Sequence, residues 1–393
     1  MSARIVVIGG GLHGFAAALH LARAGHRVSV VEKDYAGRHA SGVNAGGVRR
    51  LGRHTAEIPL ALAAAERWRR MGELVGGDCG FVPCGQIKVA ESDADMDALE
   101  ARVAEVRALG FGHEYLVTPG ELRRRVPAIG AHCRGALVCD GDGYASPYRT
   151  VTAWRRAAQA AGAACHEGER VTGIERLADG WRVVSRERAW TADVVVNCAG
   201  AWAGEVCRML GERVPVQAEA PMLMITERLV PFLEPVVGAT HRPLSFKQFP
   251  NGTVLIGGGI RGRVEHGLAH PRLAGLAANA RTVTDLFPFM ARARIVRTWA
   301  GMEGVMPDGI PVIGRSAVAP DVVHCFGFSA HGFQLGAITG EIVRDLVTGR
   351  EPALPIAPFA VERFAAANPA EGSYSDAAFS ASSDGGAAST VAR

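Results

Sequence analysis

The chain reads as an α/β protein: a Rossmann-type nucleotide-binding unit assembled from separated stretches, with a mixed, largely antiparallel sheet inserted between them. Three observations predict this. The first 35 residues run strand, glycine turn, helix, strand. A strongly apolar strand pattern at 194–198 and a closing helix pattern at 333–348 come much later. Between them lie short runs of period-two alternation, which suit a sheet with one covered face.

The elements follow in order. Residues 4–8 form a short β-branched run, and 14–24 carry small and apolar residues at helical spacing until Gly25 ends them. A second strand, 28–31, closes at Glu32. Residues 42–53 are glycine-rich and polar and predict a loop; 59–71 predict an amphipathic helix. Strand-like runs at 81–90 and 135–139 flank a charged helix at 94–109. A helix at 147–161 ends in Ala-Gly and leads to short strands at 171–174 and 181–185, then to the 194–198 strand. Strand patterns at 222–226, 244–249 and 254–257 precede a helix at 273–287, a strand at 322–326 and the last helix. After Phe364 the composition turns to Ala, Ser, Gly and Asp, so 365–393 is expected to be a disordered tail. The expected nucleotide-binding domain gathers 1–85, 146–215 and 300–364, and the expected substrate domain takes 86–145 and 216–299.

Composition narrows the function. The chain has 393 residues, 48% apolar and 21% charged, enough for two interleaved domains. Net charge is +4, the basic residues are scattered, and lysine occurs only at Lys33, Lys88 and Lys247, which argues against nucleic acid. No apolar run is long enough to span a membrane, and the first strand starts too early for a secretory leader, so a cytoplasmic location is expected. None of the eight cysteines forms a Cys-x-x-Cys pair, and no metal site is expected.

Gly9-Gly10-Gly11-Leu12-His13-Gly14 matches G-x-G-x-x-G. Gly9 permits a tight turn, Gly11 lets backbone amides approach a pyrophosphate, and Gly14 lets helix and strand pack closely. The diphosphate then meets the unpaired N–H groups and dipole of a helix N-terminus. Glu32, followed by Lys33, stands at the end of the next strand, where an acid grips unphosphorylated ribose. His13 reads as a loop side chain beside the dinucleotide.

Further segments narrow the dinucleotide by resemblance. The loop Ala40-Ser41-Gly42-Val43-Asn44-Ala45-Gly46-Gly47-Val48-Arg49 resembles the flavin-contacting loop of the D-amino-acid oxidase/sarcosine oxidase superfamily. Residues 168–174, with Val171, are similar to that superfamily's adenine-side strand. Residues 193–202 look like its buried strand and Ala199-Gly200-Ala201-Trp202 turn. Residues 306–314 and 327–334 match its C-terminal signature. The resemblance runs from residue 5 to about 350. It implies a glutathione-reductase-like FAD domain, with Ser41, Asn44, Ala45, Gly46, Gly47, Val171, Ala199, Gly200, Trp202, Gly332, Phe333 and Gln334 at the cofactor. The final helix would point its N-terminus at the flavin's pyrimidine end, where reduction places negative charge.

The same resemblance implies oxidation of the carbon–nitrogen bond of a small amino acid, by hydride transfer to flavin N5. Arg49 matches an arginine that holds the substrate carboxylate, with Arg50 and Arg53 as competitors. Lys247 lies on a strand bordering the active site and reads as a substrate group or a sheet-edge lysine. His331 touches the flavin or caps the helix. Gln334 stands where some sarcosine oxidases have a second carboxylate-binding lysine. Gly301, before Met302, stands where a covalent flavin attachment would need cysteine, so FAD is expected to be non-covalent. The 254–257 run carries no oxygen-activating lysine, which favours a dehydrogenase. Sarcosine, proline, hydroxyproline and D-amino acids are the expected substrates, with oxygen, a quinone or a partner flavoprotein as acceptor. Two alternatives remain: a catalytic β-like subunit of a hetero-oligomeric amino-acid or opine dehydrogenase, and a non-catalytic dinucleotide-binding sensor.

Overall fold

A computed structural model describes residues 2–77 and 79–365; the expected tail lies outside the described residues except for Ala365. Two large sheets organise the chain. The first has six strands in the order Val312–Arg315, Val322–Phe326, Val194–Asn197, Arg4–Ile8, Arg27–Val31, Ala164–His166. All neighbours are parallel except the edge strand Val312–Arg315. Val7, Val30, Val196 and Val323 are fully buried there, as expected of parallel strands covered on both faces.

The helices Leu12–Arg23, Ile58–Arg69, Pro147–Ala160 and Gly332–Thr348 share one core with that sheet, filled by Phe15, Trp68, Trp154 and Leu335. A three-stranded antiparallel meander, Val171–Leu177, Gly180–Ser185 and Ala189–Ala192, packs Trp181 and Val183 with Val6, Ile8 and Val195.

The second sheet has eight strands: Ile295–Ala300, Met222–Arg228, Thr253–Gly257, Ser245–Gln248, Val236–Ala239, Gln86–Ala90, Gly135–Cys139, Tyr115–Val117. Only the pair Val236–Ala239 and Gln86–Ala90 is parallel. Alternation divides its faces. Ile87, Val89, Val237 and Phe246 join a core with Phe287, closed by the helix Leu273–Leu286. Their neighbours Gln86, Lys88, Gly238, Ser245 and Lys247 occupy the other face.

Four expectations are corrected. The stretch expected as loop holds a short helix, Ala40–Val43, and a strand, Gly47–Val48, paired with Gly143–Tyr144. His13 lies in the first turn of the helix Leu12–Arg23, because Gly11 already serves as its cap. The strand expected from 81 starts at Gln86; Val82 makes only a single bridge to Tyr144. Lys247 stands on an inner strand rather than an edge, because the chain places Thr253–Gly257 and Val236–Ala239 on either side of it. All eight cysteines are free thiols, and among the described residues no helix is long and apolar enough to cross a membrane.

Candidate active site

A cavity of about 1030 Å³ opens between the six-stranded sheet's glycine turn and the polar face of the eight-stranded sheet. It is at the large end of ligand sites. At one end, the turn after Arg4–Ile8 presses against the strand Val194–Asn197. A Cβ on Gly9 (φ +112°) would fall 2.4 Å from the Cys198 carbonyl oxygen, and one on Gly14 would fall 1.9 Å from the Gly9 carbonyl oxygen. Neither position admits a side chain. Gly11 caps the following helix without a side chain, and Ser41 Oγ accepts the Leu12 amide at 2.9 Å. This leaves a cradle made of backbone, the form a diphosphate requires.

Glu32 is buried at the same end. Its Oε2 accepts the Gly10 amide at 2.7 Å and its Oε1 the Asp34 amide at 2.8 Å. Burial raises its carboxyl above the ordinary value despite these bonds. Lys33 Nζ sits 3.9 Å from the Trp202 ring centroid. His13 stacks on Phe328 at 3.7 Å and meets Thr339 Oγ1 at 2.9 Å.

The glycine loop forms the middle of the cavity. Asn44 staples it: its Nδ2 donates to the carbonyls of Ala40 (2.8 Å) and Ser41 (2.9 Å), and its Oδ1 accepts the Gly46 amide at 2.6 Å. Trp299 Nε1 donates to the Val43 carbonyl at 2.8 Å. Lys247 Nζ donates to the Ala45 carbonyl at 2.5 Å from beneath. Burial pulls the Lys247 amine down to about 8.

Opposite the loop, the final helix begins at Gly332 with no side-chain cap. Ser329 (φ 48°) and Ala330 (φ 68°) precede it in left-handed backbone, a strained arrangement that concentrates at functional sites. Glu303 Oε1 accepts the Ala330 amide at 2.6 Å, and burial pushes its carboxyl up to about 7. His331 Nδ1 lies 2.7 Å from Glu57 Oε2. Burial pulls His331 down to about 4, Arg53 adding to the shift. Burial works to raise Glu57, but His331, Arg53 and Arg49 bring it below its usual value.

Most sequence-predicted positions line this cavity: Gly9, Gly11, Leu12, His13, Glu32, Lys33, Ser41, Asn44, Ala45, Gly47, Arg49, Val171, Ala199, Gly200, Trp202, Gly301, His331, Gly332 and Phe333. Gly14 and Gly46 do not; Gly14 is the packing glycine, and a Cβ on Gly46 would strike the Ala145 carbonyl at 2.1 Å. Two further positions are corrected. Gln334 is fully buried behind the helix start, accepting from Arg53 at 3.1 Å and donating to the Ala61 carbonyl at 2.6 Å. Lys247 is fully buried beneath the loop and supports it. Of the three arginines, Arg50 is bound to Asp142 at 2.7 Å and Arg53 to Gln334, whereas Arg49 lines the cavity and donates Nη1 to the Leu51 carbonyl at 2.7 Å.

Sequence reasoning passed over Glu57, Trp299, Glu303 and Lys88. The period-two pattern at 86–90 was the available signal for Lys88; nothing local marked Glu57. Outside the cavity, Cys207, Glu212 and His324 converge in the interior. Glu212 is already engaged there by His324 (2.7 Å), Ser316 (2.8 Å) and the Ala317 amide (2.9 Å), a hydrogen-bonded network.

Backbone cradle, buried acid at the end of the next strand and stapled glycine loop have the form of a dinucleotide-binding site. Residues 4–346 match the family described as FAD dependent oxidoreductase, and the chain belongs to that family. FAD is therefore its cofactor. It is 29% identical to a glycine oxidase of Geobacillus kaustophilus, over 91% of this chain and 96% of that one. It is 26% identical to the sarcosine oxidase subunit beta of Rhizobium meliloti, over 92% of this chain and 88% of the relative. The structure of an L-proline dehydrogenase from P. horikoshii superposes with a TM-score of 0.86 at 27% identity, covering 93% of this chain and 98% of that one.

Proposed function

We propose that the chain oxidises the CH–NH or CH–NH2 bond of a small amino acid, with Arg49 holding the substrate carboxylate. The observation that carries this is Arg49 itself: a half-buried guanidinium on the cavity wall, next to the flavin loop, with no carboxylate partner among the described residues. A planar fork in that setting suits a carboxylate. Bound FAD supplies the two-electron acceptor. The protein's part is positioning and exclusion of water. Asn44, Trp299 and Lys247 hold the loop, the uncapped helix start offers N–H groups to negative charge, and Glu303 can hold a proton near neutrality inside the cavity.

The six-stranded sheet and its helices serve as the cofactor domain in this reading, and the eight-stranded sheet as the substrate domain. Gly301 and Met302 offer no thiol for flavin attachment, which supports non-covalent FAD. The strand Thr253–Gly257 has no lysine, which supports a dehydrogenase, and a cytoplasmic location fits the same proposal. The test is anaerobic titration with sarcosine, proline and hydroxyproline isomers and D-amino acids, following the oxidised flavin band. Bleaching by one of them supports the reading, and Arg49→Met should then raise KM about 30- to 100-fold with flavin still bound. Absence of bleaching across the panel, and by dicarboxylic amino acids added to it, refutes it.

A second reading, a subunit of a hetero-oligomer, is favoured by one feature. The edge strand Ile295–Ala300 exposes Ile295 (43%) and Val296 (64%), and an open apolar edge invites pairing. Co-purification from the native source, with the mass of the assembly, decides it.

A further inference from the structure

The cavity wall carries several cations, and nearly all of them on the substrate side are already paired. His241 contacts Asp95, Arg242 is bound by Glu91 at 2.9 Å, and Arg261 contacts Glu219. Lys88 is different. No hydrogen bond or ion pair is made by its ammonium among the described residues, and Arg49 has no carboxylate either. The carboxylates nearby are committed: Glu114 takes the Gly52 amide at 2.5 Å and Arg102 at 2.9 Å. Burial, and then the neighbouring Arg49, lower the Lys88 amine below its ordinary value. Two neighbouring cations without a protein counter-ion are costly to keep half-buried, and the cost is relieved by a bound anion.

Their positions differ. Arg49 sits beside the flavin loop. Lys88 rises from the middle of the eight-stranded sheet, on the face it shares with Gln86, while Ile87 and Val89 point into the core. One of its two register partners is Gly238, which puts no side chain beside it; the other is Leu137, which lines the side pocket with it. Lys88 also lines a second pocket, of about 280 Å³, with Gly52, Arg102, Thr240 and His241; Arg49 does not. The cavity therefore has one cation without a carboxylate partner by the flavin loop and another displaced toward this side pocket, among the described residues.

We propose that Lys88 forms a second anion subsite, so that the preferred substrate is an amino acid bearing a second carboxylate. Arg49 holds the carboxylate beside the reacting carbon, and Lys88 holds the distal one at the mouth of the side pocket. The inference rests on the amine-oxidising reading above. Two sources share this chemistry, an N-carboxyalkyl amino acid and an α-amino dicarboxylate, and the arms below separate them.

The experiment is anaerobic flavin reduction by the purified holoprotein with matched pairs: N-methylglycine against N-(carboxymethyl)glycine, and alanine against aspartate in both configurations. The dicarboxylate of one pair should show a second-order rate constant for flavin reduction at least about tenfold above its partner, the size of one charge-assisted contact. Lys88→Met should collapse that ratio toward one, and Lys88→Arg should keep it. A wild type that favours the monocarboxylate in both pairs overturns the proposal without any variant. So does a Lys88→Met ratio equal to wild type, which would place Lys88 on the same carboxylate as Arg49. Bleaching by neither member of either pair, with proline and hydroxyproline also inert, overturns the amine-oxidising reading itself, and the subsite falls with it.

Discussion

Replacing Lys247 with methionine should leave the protein about as stable near neutral pH, yet loosen its cofactor. The amine is fully buried, donates to the Ala45 carbonyl at 2.5 Å and lies 5.3 Å from the Tyr144 ring centroid. Burial lowers it from 10.5 to about 8, so keeping it charged in the native state costs about 3 kcal/mol at neutral pH. The hydrogen bond from a charged donor offsets about 1.5–3 kcal/mol of this. Methionine removes both terms, and the change in unfolding free energy should stay within about 2 kcal/mol. The pH dependence is more telling. The folded value lies below the unfolded one, so between about 8 and 10.5 the unfolded chain binds more protons. Wild-type stability must therefore rise with pH through that window. Chemical denaturation of both proteins at pH 7 and pH 10 should show wild type gaining roughly 2.5 kcal/mol on the variant. Flavin binding by the variant should weaken about tenfold at neutral pH, because the loop loses its support from below. A gap that does not change with pH, or one that moves against wild type, would refute the picture of a charged lysine held under the loop.

Three further outcomes follow from the same geometry. Gly14→Ala places a Cβ 1.9 Å from the Gly9 carbonyl; it should cost at least about 2 kcal/mol and give protein without bound flavin but with near-native circular dichroism. Glu32→Gln keeps the shape of the side chain but removes the charge from the acceptor of the Gly10 and Asp34 amides, so FAD binding measured by fluorescence should weaken about tenfold. Because burial pulls His331 down to about 4, the imidazole is neutral at ordinary pH; replacing it with asparagine should leave any acid limb of the kcat/KM profile above pH 6 within about 0.3 units of wild type.

Local chemistry made the nucleotide-binding half of the protein legible. A β-branched strand, three spaced glycines and a following acid can form only a few structures, because a glycine that tolerates no Cβ constrains its neighbours wherever the chain goes. Gly9, Gly14 and Glu32 were readable for that reason, and the short strand Ala164–His166 was missed because three residues carry too little pattern. The eight-stranded sheet was legible as alternating runs but not as an order: which strand lies inside and which at the edge depends on pairings across more than a hundred residues. Lys247 looked like an edge lysine for a different reason: alternation within its own strand does not show that both neighbours in the chain, Val236–Ala239 and Thr253–Gly257, pair with it.

The sequence by itself determined the strand, glycine turn and helix of the nucleotide-binding unit and singled out the glycine-rich segment that follows, since each depends on residues within one turn or one strand; the carboxylate role proposed for Arg49 came from resemblance. Tertiary structure decided which of those groups face the cavity. It bound Arg50 to Asp142, buried Gln334 against Arg53, tucked Lys247 under the loop, and left Arg49 and Lys88 without carboxylate partners among the described residues. The physical reason is that a charged group acts according to its nearest counter-charge and its burial, and both are set by elements far apart in the chain.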